Sequence, residues 1–323
     1  MHRIHIIIIL ILEVLFQTFL YGQTLDIRHY NVQDGLIQSQ VTDIVQDNDG
    51  FMWFATVGGA SSFDGQVFKR FTRRNGLAEN YITCMYKDSL GRLWFGHEHG
   101  KISLYNPKTK KFERLQIEYK GSLQHNVTIV DICLDPSGRL WIGTMGQGIY
   151  YRDTTNTFHH FTHKKNKITS NYIFSMLQRK NGDFWFATPF GISILHKGTL
   201  SDSVQFDSLD FHEKTALYVL NIMEDSKGGV WIGTGTKGAF YYTKKGQLKH
   251  FGPDVFPEKN VFYIYETKNH DLWFLSYKKG AFVLSAKDWM RGKWKFTNLT
   301  QAQGLTSNDI GEVFEDSEGS IWF

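Results

Sequence analysis

The stretch Gly76–His97 reads GLAENYITCMYKDSLGRLWFGH, and it decides the fold because its pattern returns along the whole chain. Trp94 anchors it. Equivalent tryptophans stand at Trp53, Trp141, Trp185, Trp231, Trp273 and Trp322, spaced 41 to 49 residues apart. That period is the length of one four-stranded propeller blade. Six residues before the tryptophans come Asp47, Asp88, Asp135, Arg179, Asp225, Thr267 and Asp316; three before them come Gly50, Gly91, Gly138, Gly182, Gly228, His270 and Gly319. Asp-x-x-Gly reads as a tight turn, in which the carboxylate bonds local amides and the glycine supplies a positive φ. The tryptophan then opens a strand as one large rigid wedge between neighbouring sheets. A small residue two positions later, such as Ala55, Gly96 or Gly143, lies on the same face and lets the sheets approach.

Outward from this core, Val57-Gly58-Gly59 turns into a third strand, Ala60–Phe63, and Val67–Phe71 has the form of an outer strand. The next repeat opens at Asn75 and alternates Ile82, Cys84 and Tyr86 on one face. The predicted fold is therefore all-β, a β-propeller of four-stranded blades. Seven blades are expected, near 36–74, 75–118, 122–163, 168–212, 215–252, 258–299 and 304–323. The last is truncated and closed by an N-terminal strand over 25–31. Since Trp322-Phe323 falls early in that blade, the sequence reads as an N-terminal fragment of a longer protein. Thr267 and His270 predict the same blade with altered turn chemistry.

The N-terminus carries Arg3, then the apolar run Ile6–Leu12, then Tyr21-Gly22 before polar residues, the order of a secretory signal peptide over 1–22. Glu13 and Gln17 interrupt the run, which falls short of the roughly 18 apolar residues of a membrane span. Aromatic residues make up 15% of the chain, which suits packed sheets and argues against disorder. A net charge of +4, with both signs mixed along the length, offers no basic block for nucleic acid. Cys84 and Cys133 lie inside apolar strand patterns and read as small buried side chains rather than a disulfide.

The composite Gly-Leu-x-x-Asn, Ile, Asp-x-x-Gly-x-x-Trp-x-Gly-Thr resembles the two-component regulator propeller repeat. Its clear instances run from Gly76 through Trp94 and from Gly304 through Trp322, and the likeness covers 25–323. The resemblance implies the periplasmic sensor region of a sensor histidine kinase, in some relatives a hybrid. It implies a second propeller and kinase domains downstream in the same chain, an inner-membrane location for the full-length protein, and a homodimer.

No catalytic signature stands in this stretch: G-x-S-x-G, H-E-x-x-H and the phosphate-binding G-x-x-x-x-G-K-[ST] are all missing from the sequence. No catalytic residue, cofactor or metal is expected. Asp47-Asn48-Asp49-Gly50 begins like a calcium loop, but Gly58 occupies the twelfth position and the repeat explains the segment as a turn. His97-Glu98-His99 offers two imidazoles without a third ligand and reads as a solvated loop tip. Binding is the more natural reading. The Gly-Leu-x-x-Asn loops and the Thr-x-x-Gly turns are expected on one face, where variable loops ride a fixed scaffold. Its candidate ligand-binding residues are Glu79, His97, His99, His125, Gln147, Phe190, Tyr218, Lys237 and Tyr277, with Gln38, Ser39, Glu98, Met145 and Lys278 beside them. The expected ligand is a small molecule or an oligosaccharide. The seven repeat tryptophans are read as structural. Two other classes stay open: a propeller enzyme of quinoprotein or polysaccharide-lyase type, and a free-standing protein-interaction scaffold.

Overall fold

The first six repeats each fold as an antiparallel meander. In the first, Val41–Gln46, Met52–Thr56, Gly59–Phe63 and Phe68–Phe71 pair in chain order. Five more four-stranded sheets of the same order begin at Ile82, Ile129, Ser175, Val219 and Tyr263. The computed structural model describes residues 27–211 and 215–323. The predicted signal peptide lies outside the described residues, as do Leu25 and Asp26 of the predicted N-terminal strand.

The first strands of successive blades touch one another, so they line a central channel. Second strands such as Leu140–Thr144 and Val230–Thr234 are buried along their whole length. Fourth strands such as Phe68–Phe71 are largely open to solvent. Burial on both faces is what the second strand's sequence demands, because its tryptophan faces the following blade. Trp53 packs with Ile82, Leu93 and Phe95 of the second blade, and Trp94 with Ile129, Leu140 and Ile142 of the third. The small residue is needed for this approach. A Cβ on Gly96 would stand 2.5 Å from Cys84 Sγ and 2.7 Å from an Ile129 methyl. Cys84 and Cys133 are both free, as read from their strand patterns.

The blade count corrects the expectation of seven. The described residues form six complete blades. The seventh repeat supplies only a hairpin, Phe314–Glu315 with Ile321–Trp322, and a blade needs four strands. The hairpin still occupies the gap in the ring. Trp273 of the sixth blade packs with Leu305, Val313 and Ile321, and Trp322 packs with Ile44, Phe54 and Phe63 of the first blade. The predicted N-terminal strand is corrected as well. Residues 27–30 join no ladder, because the hairpin offers no third strand to pair with. They hold by side chains instead, with Ile27 in the cluster of Leu275 and Leu305 and Tyr30 stacked on Trp322 at 5.9 Å.

Turn chemistry follows the repeat. Asp47, Asp88, Asp135 and Asp316 each accept their tryptophan's indole N–H at 2.8–3.0 Å. Asp47 Oδ1 also accepts the amides of Asp49 and Phe51, so the calcium-like segment is a turn. In the fourth and fifth blades the indole bond is lost. Arg179 lies over Trp185 at 4.8 Å and pairs with Glu224, leaving Trp185 Nε1 buried without an acceptor. In the fifth blade Tyr241 stands beside Asp225, and Trp231 Nε1 is likewise unpaired. In the sixth, Thr267 Oγ1 accepts the Asp271 amide and His270 adopts the left-handed φ of 66° that glycine takes elsewhere.

Candidate functional site

In blades two to six the turn after the second strand is bonded to the leading loop of the following repeat, which brings both loop sets to one end of the ring. Gly100 N donates to Val127 O at 2.6 Å, Gly148 N to Asn171 O at 2.7 Å, Gly238 N to Lys259 O at 2.7 Å and Gly280 N to Asn308 O at 2.8 Å. Third-strand serines pin the loops from beneath: Ile37 N reaches Ser61 Oγ at 3.0 Å, Ala78 N Ser103 Oγ at 2.8 Å, and Thr169 N Ser193 Oγ at 2.7 Å.

The nine predicted residues do not share one environment. His97 is the clear correction, being a buried strand residue and not a solvated loop tip. It is fully buried at the end of its strand, where other blades carry Thr56, Thr144, Thr188 or Thr234. Its Nδ1 lies 2.9 Å from Tyr81 O, a carbonyl that only accepts, so Nδ1 carries the hydrogen. Nε2 then accepts from Ser103 Oγ at 2.8 Å. Burial lowers its pKa to about 4, which keeps the imidazole neutral. Glu79 is engaged by Lys101 and, at 3.6 Å, by Arg73; the Lys101 hydrogen bond holds its carboxyl below the usual range.

His99, His125, Gln147, Phe190, Tyr218 and Tyr277 are exposed on the loop end, and Lys237 and Glu98 are half-buried there. Gln38 is half-buried, and Ser39 and Lys278 are exposed. Met145, Phe190, Tyr218 and Tyr277 are joined by Tyr81 and Tyr172, which the sequence reading missed; all six are 40–66% exposed. Tyr81 and Tyr172 directly follow Asn80 and Asn171, so register alignment with the repeat was the signal that could have found them. Four of the six form a run across blades three to five. Met145 bridges to Tyr172, and Tyr218 N donates to Pro189 O, next to Phe190, at 2.9 Å. At the opposite end, a cleft of about 470 Å³ lies between the turns of blades three and four, lined by Arg139, Arg179, Lys180 and Lys197.

A second set was also missed. Ten residues before each tryptophan stand Asp43, Cys84, Asp131, Ser175, Asn221, Tyr263 and Glu312, one per repeat. Bulges at Val41/Asp43, Ile82/Cys84, Ile129/Asp131 and Val219/Asn221 break the simple alternation there. Burial pushes the Asp131 carboxyl up to about 7, although the Met176 amide bonded to it works the other way. Among the described residues no group of three His, Cys, Asp or Glu is placed to hold a metal ion, and no helix is long and apolar enough to cross a membrane.

This geometry defines a β-propeller with one loop-bearing end and polar side chains along its channel strands. Residues 35–58, 76–99, 122–146 and 215–236 match the two component regulator propeller, so the chain carries repeats of that family. No curated protein matches the sequence. Among solved structures, the extracellular domain of a protein assigned as a hybrid two component system from B. thetaiotaomicron superposes with a TM-score of 0.74 at 21% identity, over 91% of this chain and 40% of its own. A second such domain from the same organism gives 0.72 at 23% identity, over 91% and 38%. The chain thus spans about two fifths of the length of these structures. A streptogramin B lyase gives 0.69 at 17% identity, over 90% and 91%. Identities this low speak for the shared fold alone.

Proposed function

We propose that this chain is the extracytoplasmic, ligand-binding propeller of a two-component sensor histidine kinase and carries no catalytic residues of its own. Its repeats and the fold it shares with extracellular domains of two component systems support that setting. The observation that carries the binding end is the run Met145, Tyr172, Phe190 and Tyr218, exposed on adjacent blades whose backbones bond to one another. Flat rings interleaved with hydroxyl and amide groups suit a polar ligand that also has apolar faces, of which an oligosaccharide is the leading case. The signal would pass to propeller and kinase domains further along the same chain, in a homodimer at the inner membrane. The N-terminal segment would direct export to the periplasm.

Two measurements test this. A reporter active only outside the cytoplasm, fused after residue 323, should give signal; retention inside the cell would remove the setting. Calorimetric titration with a panel of soluble oligosaccharides should find a binder whose affinity drops at least roughly tenfold in Tyr172→Ala and Phe190→Ala, the scale of one lost aromatic contact. Binding unchanged in both variants would move the site elsewhere.

A further inference from the structure

The seven positions ten residues before the tryptophans do more than fill the channel. Three of them stitch neighbouring blades by accepting the amide of the residue just after the equivalent position in the next blade. Asp43 Oδ2 accepts from Met85 N at 2.5 Å, Asp131 Oδ2 from Met176 N at 2.7 Å, and Asn221 Oδ1 from Ile264 N at 3.1 Å. These bonds join blade one to two, three to four, and five to six. At the seam between the hairpin and the first blade, the corresponding acceptor is Glu312 and the corresponding amide is Ile44, and the two lie together.

This seam differs from the other three because a second carboxyl enters it. Asp43 meets Glu312, carboxyl to carboxyl. Glu312 Oε1 accepts from the Tyr263 hydroxyl at 2.9 Å, but Oε2 is buried with no donor. A carboxylate oxygen facing another carboxylate gains a hydrogen bond only if one of the two holds a proton. No cation stands at any of the seven positions. The other groups facing the pair are Asp131, whose charge acts on Asp43's side of the channel, and Cys84, Tyr263 and Tyr265. Burial pushes these last three up, so they stay neutral. Burial likewise pushes both members of the pair upward.

We propose that Asp43 and Glu312 share a single proton across the seam between the first blade and the hairpin carrying Trp322, so that the ring is held closed when the pair keeps that proton and loosens when both groups ionise. With the proton in place, each carboxyl is bonded to the other and the Met85 stitch is kept. Without it, two like charges sit side by side and Glu312 Oε2 is stranded. The seam is a proton-operated latch, distinct from the loop end that would take a ligand.

Hydrogen exchange of the full chain tests the latch peptide by peptide. After correction for intrinsic exchange, protection over 36–46 and 304–323 should fall at least roughly tenfold between about pH 5 and about pH 8, relative to 184–195 in the fourth blade. In Glu312→Gln the amide donates to Asp43 at every pH, so this dependence should vanish. Asp43→Asn, which keeps an acceptor for Met85, should do the same and serves if the first variant does not fold. Infrared difference spectra should show a protonated carboxyl in the wild-type chain near neutral pH that is missing from either variant. Equal pH dependence in wild type and variants, or protection at the seam that rises with pH, would overturn the proposal.

Discussion

Asp135 Oδ2 accepts the indole N–H of Trp141 at 3.0 Å while Asp135 Oδ1 caps the amides of Ser137 and Arg139, so one carboxylate both shapes the turn and fixes the wedge. Trp141 is 1% exposed and stacks on Tyr151 at 5.0 Å and on Phe184 of the next blade at 4.6 Å. Removing the whole side chain in Trp141→Ala should cost about 3–5 kcal/mol, read from the shift in denaturant midpoint. Unchanged stability would mean that the ring is not a wedge.

The departures from the repeat supply a sharper comparison. Trp141→Phe loses an indole N–H that has an acceptor, whereas Trp185→Phe removes an indole N–H that has none. The ring volume lost is the same. Trp141→Phe should therefore be the more destabilising by roughly 1 kcal/mol, the net worth of one such bond. The double variant Asp135→Ala/Trp141→Phe should show a coupling of about the same size. Equal losses in the two tryptophan variants would place the repeat aspartate in the turn alone.

Glycines divide by what surrounds them. Gly148 has φ +80°, and a Cβ there would stand 2.2 Å from the Phe161 carbonyl oxygen, while the amide of Gly148 holds the blade-three turn to Asn171. Gly121 has a similar φ of +77° with nothing within 4 Å. Gly121→Ala should cost about 1 kcal/mol from backbone strain alone. Gly148→Ala should cost at least twice that and open the junction between blades three and four. Thermal melts of the two variants settle the ordering.

How far the sequence can be read depends on how local the determinant is. The turn aspartate, glycine and tryptophan act within one hairpin, so their register carries the blade architecture directly. The seventh tryptophan marks a hairpin equally well whether or not two further strands pair with it, so counting tryptophans gave a seventh, truncated blade closed by the N-terminal strand where the described residues form six blades and a hairpin. The loop end was legible because Thr-x-x-Gly and Gly-Leu-x-x-Asn sit at fixed offsets. His97 was not, because the Tyr81 carbonyl and the Ser103 hydroxyl that hold it belong to the leading loop and the third strand of the blade, distant in sequence pattern from the turn. The channel acids were hidden by a bulge, which breaks the two-residue alternation that made Ile82, Cys84 and Tyr86 look like a single apolar face.

His97 also sets an acid limit on stability. In the folded chain its pKa is lowered to about 4, while an unfolded histidine titrates near about 6.5. The unfolded state therefore binds the extra proton between those values, so the contribution of neutral His97 is complete above about 6.5 and is lost as pH falls toward 4. A gap of that size corresponds to about 3 kcal/mol. His97→Thr places the residue of blades one, three, four and five at this position, with a hydroxyl in range of the turn, and removes the titrating group. The stability of His97→Thr relative to wild type should therefore improve steadily as pH is lowered through that window, measured as the difference in urea midpoints at each pH. The channel carboxyls act with the opposite sign, favouring the fold as pH falls, but both proteins share them and they cancel in the difference. Parallel curves for the two proteins would show that His97 is already charged in the folded chain, and that the Ser103 hydroxyl is not donating to it.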